Sequence, residues 1–410
     1  MVFHRAPHSR TRTRHPSDPL DTPSVRPDRP WAAVGMLAGA TFAVVTTEML
    51  PVGLLTSLGA GLDVSAGTAG LAVTLPGLVA AVAAPLLPVA VRRADRRTVL
   101  CALLLLLAAA NLLTALAPAF PVVLLARLLV GVCMGGVWAV AAGLGARLLP
   151  GPSAGRATAL AFSGIAVASV LGVPAGTFLG AAAGWRTAFA AMTGCALLVA
   201  AGLAVVLPPL PAEGAVRLGT FPRLLGAARV RWLLVTIALL VTGHFAAYTY
   251  VRPVLERVPG TGPGLVGTLL LGYGLAGVAG NFAGGALAAR RPRRALRLIA
   301  TVLGAVVVLL APAGRSAAGS AALLLVWGLA YGGVSVSGQR ALTAAAPTAP
   351  EAASALFAGV FNAAIALGAL AGGRLADGPG PTAVLLTGGV LAGLAALTPG
   401  RDERGAATSP

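Results

Sequence analysis

The chain has 410 residues, 57% hydrophobic and only 10% charged, with a formal net charge of +18 and a mean hydropathy of +0.88. A soluble domain of this length needs far more surface charge, so a polytopic membrane protein is expected and a soluble enzyme or nucleic-acid binder is not. All thirty basic residues are arginine, which excludes a G-x-x-x-x-G-K-[ST] phosphate loop and direct use of ATP by this chain.

The first thirty residues are polar and rich in Arg and Pro, the pattern of a disordered tail. Apolar runs long enough to cross about 30 Å of hydrocarbon as helices follow near 31–57, 68–90, 98–117, 121–149, 156–183, 185–207, 232–251, 264–289, 295–313, 317–341, 351–375 and 380–398. The expected fold is an all-α polytopic membrane protein with twelve transmembrane helices. The first run contains TTEMLPVGLL, in which Glu48 is the sole charge between Trp31 and Ser57. A charged carboxylate at mid-membrane costs at least about 2.5–3.5 kcal/mol, so Glu48 must be paired, solvated or protonated part of the time. The fourth run offers a partner. Glu48 lies nine residues before Ser57 on an outward helix, and Arg127 six after Pro121 on an inward one. At about 1.5 Å per residue both sit roughly 9–14 Å below the same surface, and an ion pair between them is expected.

The fifth run repeats small residues every four positions, at Gly164, Ala168, Gly172, Gly176, Gly180 and Gly184. That spacing stacks them on one face, where a neighbouring backbone can come close, and Gly176 in mid-row is expected to tolerate no branched side chain. Pro174 interrupts the row and should bend the helix. A polar stretch at 208–231 divides the chain. In the seventh run, HFAAYTY sets His244 and Tyr248 four apart on one face with Phe245 beside them, a titratable ring among stacking surfaces. The G-x-G-x-x-G at Gly272, Gly274 and Gly277 lies inside the eighth run with no strand before it, and reads as helix packing. Cys101, Cys133 and Cys195 all fall within apolar runs and read as small buried hydrophobes; no spacing suggests a disulfide, a metal or a catalytic triad.

Two whole-chain patterns complete the reading. Twenty-four of the 30 basic residues fall in the tails and in loops on one side, which by the positive-inside rule places both termini in the cytoplasm. GVCMGGV at 131–137 also aligns with GLAYGGV at 328–334 at an offset of 197, and LGVPAG at 171–176 with LGALAG at 367–372 at 196. Two pseudo-symmetric six-helix halves are therefore expected, 31–208 and 230–399, joined by a linker at 209–229 and flanked by cytoplasmic tails at 1–30 and 400–410.

From TTEMLPVGLL through RLLVGVCMGG, VLGVPAGTFLGAAAGWR, HFAAYTY and LGYGLAGVAGNFAGG to FNAAIALGALAGG, the chain resembles the major facilitator superfamily, and within it the twelve-span drug:proton antiporters that include sugar and chloramphenicol exporters. Arg127 and Gly131 match that family's fourth-helix motif; Gly172, Pro174 and Gly176 match its fifth-helix antiporter motif. The loop PVAVRRADRR departs from the family pattern, with Pro88 and Arg92 where a glycine and an acid would stand. Arg93, Arg96 and Arg97 keep its positive charge, and Asp95 is a candidate displaced acid.

The resemblance implies a secondary active exporter in the cell's inner membrane, driven by a proton gradient without a cofactor, monomeric, with protons, lipid and a small substrate as its partners. Glu48 would carry the coupling proton and Arg127 would set its affinity. The substrate cavity would be lined by Trp138, His244, Phe245, Tyr248, Tyr250 and Asn362. Its aliphatic, aromatic and neutral polar lining suits a neutral or amphipathic compound: a drug, a secondary metabolite or a sugar-like molecule. An importer or facilitator of the same fold for a small polar solute is the alternative, with Glu48 then a structural polar group; separately, Glu48 and Arg127 have the alternative of a static ion pair that holds two helices together.

Overall fold

The computed structural model describes residues 30–91, 93–149, 153–211, 220–314 and 316–400. Residues 1–29 and 401–410 of the expected tails at 1–30 and 400–410, Arg92, Arg315 and residues 212–219 of the linker lie outside them. The described chain is built from helices: α1 (Pro30–Gly61), α2 (Ala66–Ala90), α3 (Arg96–Ala115), α4 (Phe120–Leu148), α5 (Ala154–Ala183), α6 (Trp185–Val206), α7 (Thr220–Gly226), α8 (Ala228–Tyr248), α9 (Val251–Leu255), α10 (Pro263–Arg290), α11 (Pro292–Ala313), α12 (Ala317–Gly332), α13 (Val334–Ala345), α14 (Pro350–Asp377) and α15 (Pro381–Leu394). Among the described residues eleven spans are long and apolar enough to cross a membrane, with Pro381–Leu397 a shorter twelfth. Large apolar side chains such as Leu105, Leu198, Val205 and Phe282 point outward, where a bilayer takes the place of water.

The helix boundaries differ from the expected ones at three places. The seventh span stops at Tyr248, turns, and resumes as the short α9. The tenth is broken at Gly333, whose amide bonds Ala330 at 3.3 Å, a tighter step than the α-helical one. The linker contains the unforeseen helix α7. The abrupt junction of α5 with α6 is made by Gly184 alone, at φ +85°, a conformation that side chains other than glycine rarely adopt.

The internal repeat reappears as matched contacts. A Cβ on Gly131 would strike the Pro76 carbonyl of α2, and one on Gly328 the Tyr273 carbonyl of α10; both partners of the second pair lie 197 residues after those of the first. Gly172 faces Thr46 and Gly176 faces Leu50 across α5 and α1, while Gly368 faces Thr242 and Gly372 faces Ala246 across α14 and α8, all at an offset of 196. Two six-helix halves are thus related by pseudo-symmetry. They meet along α2 with α14, where Gly77 lies on the Asn362 carbonyl, and along α5 with α10, where Gly274 lies against Val170. The Gly272–Gly277 motif is indeed a packing surface: Gly277 and Gly332 lie backbone to backbone.

The small-residue row of α5 packs in parallel on α1, but its tightest point is not the expected one. A Cβ on Gly176 would meet the end of the Leu50 side chain at 2.5 Å, a group that can turn aside. On Gly164 it would meet the backbone, the Ala38 carbonyl and the Phe42 amide, which cannot. Helix α5 continues through Pro174, and α1 through Pro51.

Candidate functional site

Pro51 has no N–H, so it cannot bond the carbonyl four residues back, and in a membrane that Thr47 oxygen has no water to turn to. Arg127 of α4 takes it, Nη1 donating to Thr47 O at 2.8 Å. The guanidinium is wholly buried, lies over the Phe189 ring at 4.8 Å to the centroid, and leaves Nε and Nη2 without partners. Asn111 of α3 joins the same turn, its amide donating to Thr47 Oγ1 at 3.0 Å. The expected ion pair is therefore absent from this conformation. Arg127 reaches the right depth but holds the carbonyl before Glu48, and Glu48, about 100° further round the helix, faces elsewhere.

It faces the other half. Glu48 is 5% exposed and makes no ion pair or hydrogen bond with a described residue. Its carboxyl lies within electrostatic reach of the Tyr331 hydroxyl on α12, and the hydroxyls of Tyr331, Tyr248 and Tyr273 are within such reach of one another. These tyrosines belong to an aromatic cluster centred on His244. The imidazole stacks on Tyr331, centroids 3.5 Å apart and planes at 7°, and on Tyr248 at 5.1 Å; Tyr248 in turn stacks on Tyr273 at 4.8 Å. Phe245 and Trp327 stand edge-on, and Trp327 Nε1 donates to His244 Nδ1 at 2.9 Å. His244 and Tyr248 are 0% and 5% exposed, so the rings fill one another's space in this state.

The site thus brings together Glu48, His244, Phe245 and Tyr248 from the expected set with Tyr273 and Tyr331, which also stand out in the sequence as polar aromatics within apolar runs, and adds Trp327. Trp327 and Tyr331 stand four residues apart, the same one-face spacing that singled out His244 and Tyr248, so that signal was present in the tenth span. Three expected cavity residues lie elsewhere. Trp138 packs on Phe162 within the first half, centroids 5.8 Å apart. Tyr250 donates to Ala369 O at 2.8 Å, its ring wedged beside Gly70 and Gly372. Asn362 donates to Ala358 on its own helix and lies along the α2–α14 contact.

Among the described residues, the loop after α2 bonds within the first half and to the start of the linker. Asp95 caps α3, accepting from Thr98 N at 3.1 Å, and also accepts from the Leu210 amide, while Arg97 donates to Ala204 O at the end of α6. Arg96 donates to Val91 and Arg93 is exposed. Asp95 is thereby committed to capping and does not bridge the halves.

Hydrogen bonds join the halves at the end away from both termini. Thr56 on α1 donates to Glu256 at 2.8 Å; Arg252 pairs with Glu256 at 2.7 Å and also donates to the Gly53 carbonyl of α1. Asp377, the last residue of α14, accepts from Ser65 Oγ at 2.6 Å and from the Gly67 amide at 2.8 Å. Its carboxylate thus sits on the N-terminus of α2, where the helix dipole favours an anion. Asp377 is exposed, which limits this cap to roughly 1 kcal/mol. Asp377→Ala should raise amide exchange across residues 65–69 about fivefold in lipid nanodiscs while leaving α3 unchanged; unaltered exchange there would show that the cap does not hold this end closed.

A family model described as the Major Facilitator Superfamily matches residues 36–353. Among solved structures, the chain resembles a bacterial homologue of the human lysosomal transporter Spinster in an inward-facing and occupied conformation, with a TM-score of 0.71 and 16% identity over 90% of this chain and 94% of that one. It also resembles the human organic anion transporter MFSD10, with a TM-score of 0.66 and 19% identity over 92% and 99% of the two chains. No group of three or more His, Cys, Asp and Glu that could hold a metal occurs among the described residues.

Proposed function

Since the chain belongs to the Major Facilitator Superfamily of membrane transporters, and is a transporter rather than an enzyme, we propose that it exports a small neutral or amphipathic compound across the cell's inner membrane in exchange for protons. One observation carries this reading: a membrane-buried carboxyl that makes no ion pair with a described residue, Glu48, lies within electrostatic reach of Tyr331 in the aromatic cluster of the opposite half, where a change in packing between halves alters its surroundings. In the conformation closed at the Asp377 end, Glu48 is shielded and two guanidinium nitrogens of Arg127, Nε and Nη2, have no hydrogen-bond partner among the described residues. Opening that end admits water, and a proton, to Glu48; opening the other lets the proton leave toward the cytoplasm and substrate enter. Substrate among the rings and a proton on Glu48 then exclude each other, which is the condition for exchange. Arg127, one residue from the carboxyl along α1, favours the ionised form whenever the helix brings the two together.

In this proposal the halves are 31–208 and 230–399, the linker 209–229 and both tails are cytoplasmic, and the protein works as a monomer. An importer of the same fold remains the competing reading. Inside-out vesicles with an imposed pH gradient separate them: the exporter accumulates substrate and dissipates the gradient. Equal flux with and without the gradient would overturn proton exchange.

A further inference from the structure

Resting on the reading of the aromatic cluster as the substrate site, we propose that His244 is a fixed hydrogen-bond donor selecting planar substrates that carry an acceptor oxygen, and that Trp327 is the residue that sets its polarity. An indole N–H can only donate. Trp327 Nε1 lies 2.9 Å from His244 Nδ1, so Nδ1 must present its lone pair and the imidazole proton must sit on Nε2. The ring has little freedom to turn, stacked on Tyr331 and Tyr248 with Phe245 and Trp327 edge-on to it.

The Nε2–H so defined has no acceptor among the described residues, although His244 is 0% exposed, and the Tyr273 hydroxyl in the same cluster is likewise unpartnered. A donor left unpaired in a membrane interior is costly, and its natural complement is an acceptor that comes and goes. The rings around it would accept a flat, apolar body by stacking.

The repeat sharpens the assignment. His244 lies 196 residues after Glu48, the same offset that relates Thr242 to Thr46 and Ala246 to Leu50, so the two groups occupy equivalent positions in the two halves. The positions have diverged in chemistry. The carboxyl of Glu48 can take up and release a proton; the imidazole, pinned by an obligate donor, gives a hydrogen bond and keeps its proton.

Fluorenone and fluorene test this, since they share one tricyclic shape and differ by a carbonyl in place of a methylene. Binding is measured by equilibrium dialysis on the full chain in nanodiscs, corrected for partition into empty discs, with no gradient applied. The parent should favour fluorenone by about tenfold. His244→Phe keeps a ring and removes the donor, and should abolish the preference; His244→Gln keeps an amide N–H and should retain part of it, which separates donor loss from misfolding. Trp327→Phe frees Nδ1, so the preference should fall to a few-fold. In 15N spectra of histidine-labelled protein, that variant should show both tautomers of His244 where the parent shows only Nε2–H. Absence of preference in the parent, its survival in His244→Phe, or a parent proton on Nδ1 overturns the inference. Because no gradient enters these measurements, failure of proton-driven export in vesicles would overturn the proposed function and leave this result standing.

Discussion

Glu48→Gln should stop export against a gradient while leaving the protein folded and able to move substrate downhill. The substitution keeps the side chain's shape and removes its titration, so the exchange step loses the proton it depends on. Uphill accumulation is expected to fall at least about a hundredfold, and substrate binding to lose its pH dependence. The structure also sets an expectation for stability that separates this from a static ion pair. Removing one partner of a buried pair costs about 3–5 kcal/mol, because the other charge is stranded. Here Glu48 pairs with no described cation and Arg127 is bonded to Thr47 O instead, so Glu48→Gln strands nothing new. Its thermal unfolding should match or exceed the parent's. Undiminished uphill export would place the proton site elsewhere, and a large loss of stability would restore the ion-pair reading.

Gly164→Val should be far more damaging than Gly176→Ala. At Gly164 the added carbon falls on the Ala38 carbonyl and the Phe42 amide of α1, and displaces Thr41, whose hydroxyl bonds Ala161 O at 2.9 Å across the two helices. Neither backbone can yield without separating α1 from α5, and overpacking of that kind costs about 3 kcal/mol or more. Little folded protein should be recovered from the membrane. Gly176→Ala meets only the tip of Leu50, which can change rotamer at a cost of about 1 kcal/mol, and transport should stay within about twofold of the parent. Thermal unfolding and vesicle transport of the two variants measure both; equal losses would mean that the α1–α5 contact is not the rigid element it is taken to be.

Much of the architecture is legible in the sequence because membrane solvent leaves so few choices. A chain that must satisfy its own backbone in hydrocarbon becomes helices of predictable length, so twelve spans follow from apolar runs, and their duplication from offsets of 196 and 197 that reappear as matched glycine contacts. The isolation of Glu48 and the one-face spacing of His244 and Tyr248 are likewise visible in one dimension. What the tertiary structure alone decides is which groups meet. Depth arguments place Arg127 level with Glu48 but cannot give rotation about the helix axis, and the carbonyl freed by Pro51 captures the guanidinium one residue short of the carboxyl. The same limit hides the ring cluster: each span shows only its own aromatics, and Tyr273, Trp327 and Tyr331 acquire meaning when α10 and α12 bring them against α8. Tyr250 and Asn362 look alike with them in sequence, yet pack at helix contacts, since a polar side chain in an apolar run needs a partner and the fold determines whether that partner is a carbonyl, another ring or a passing ligand.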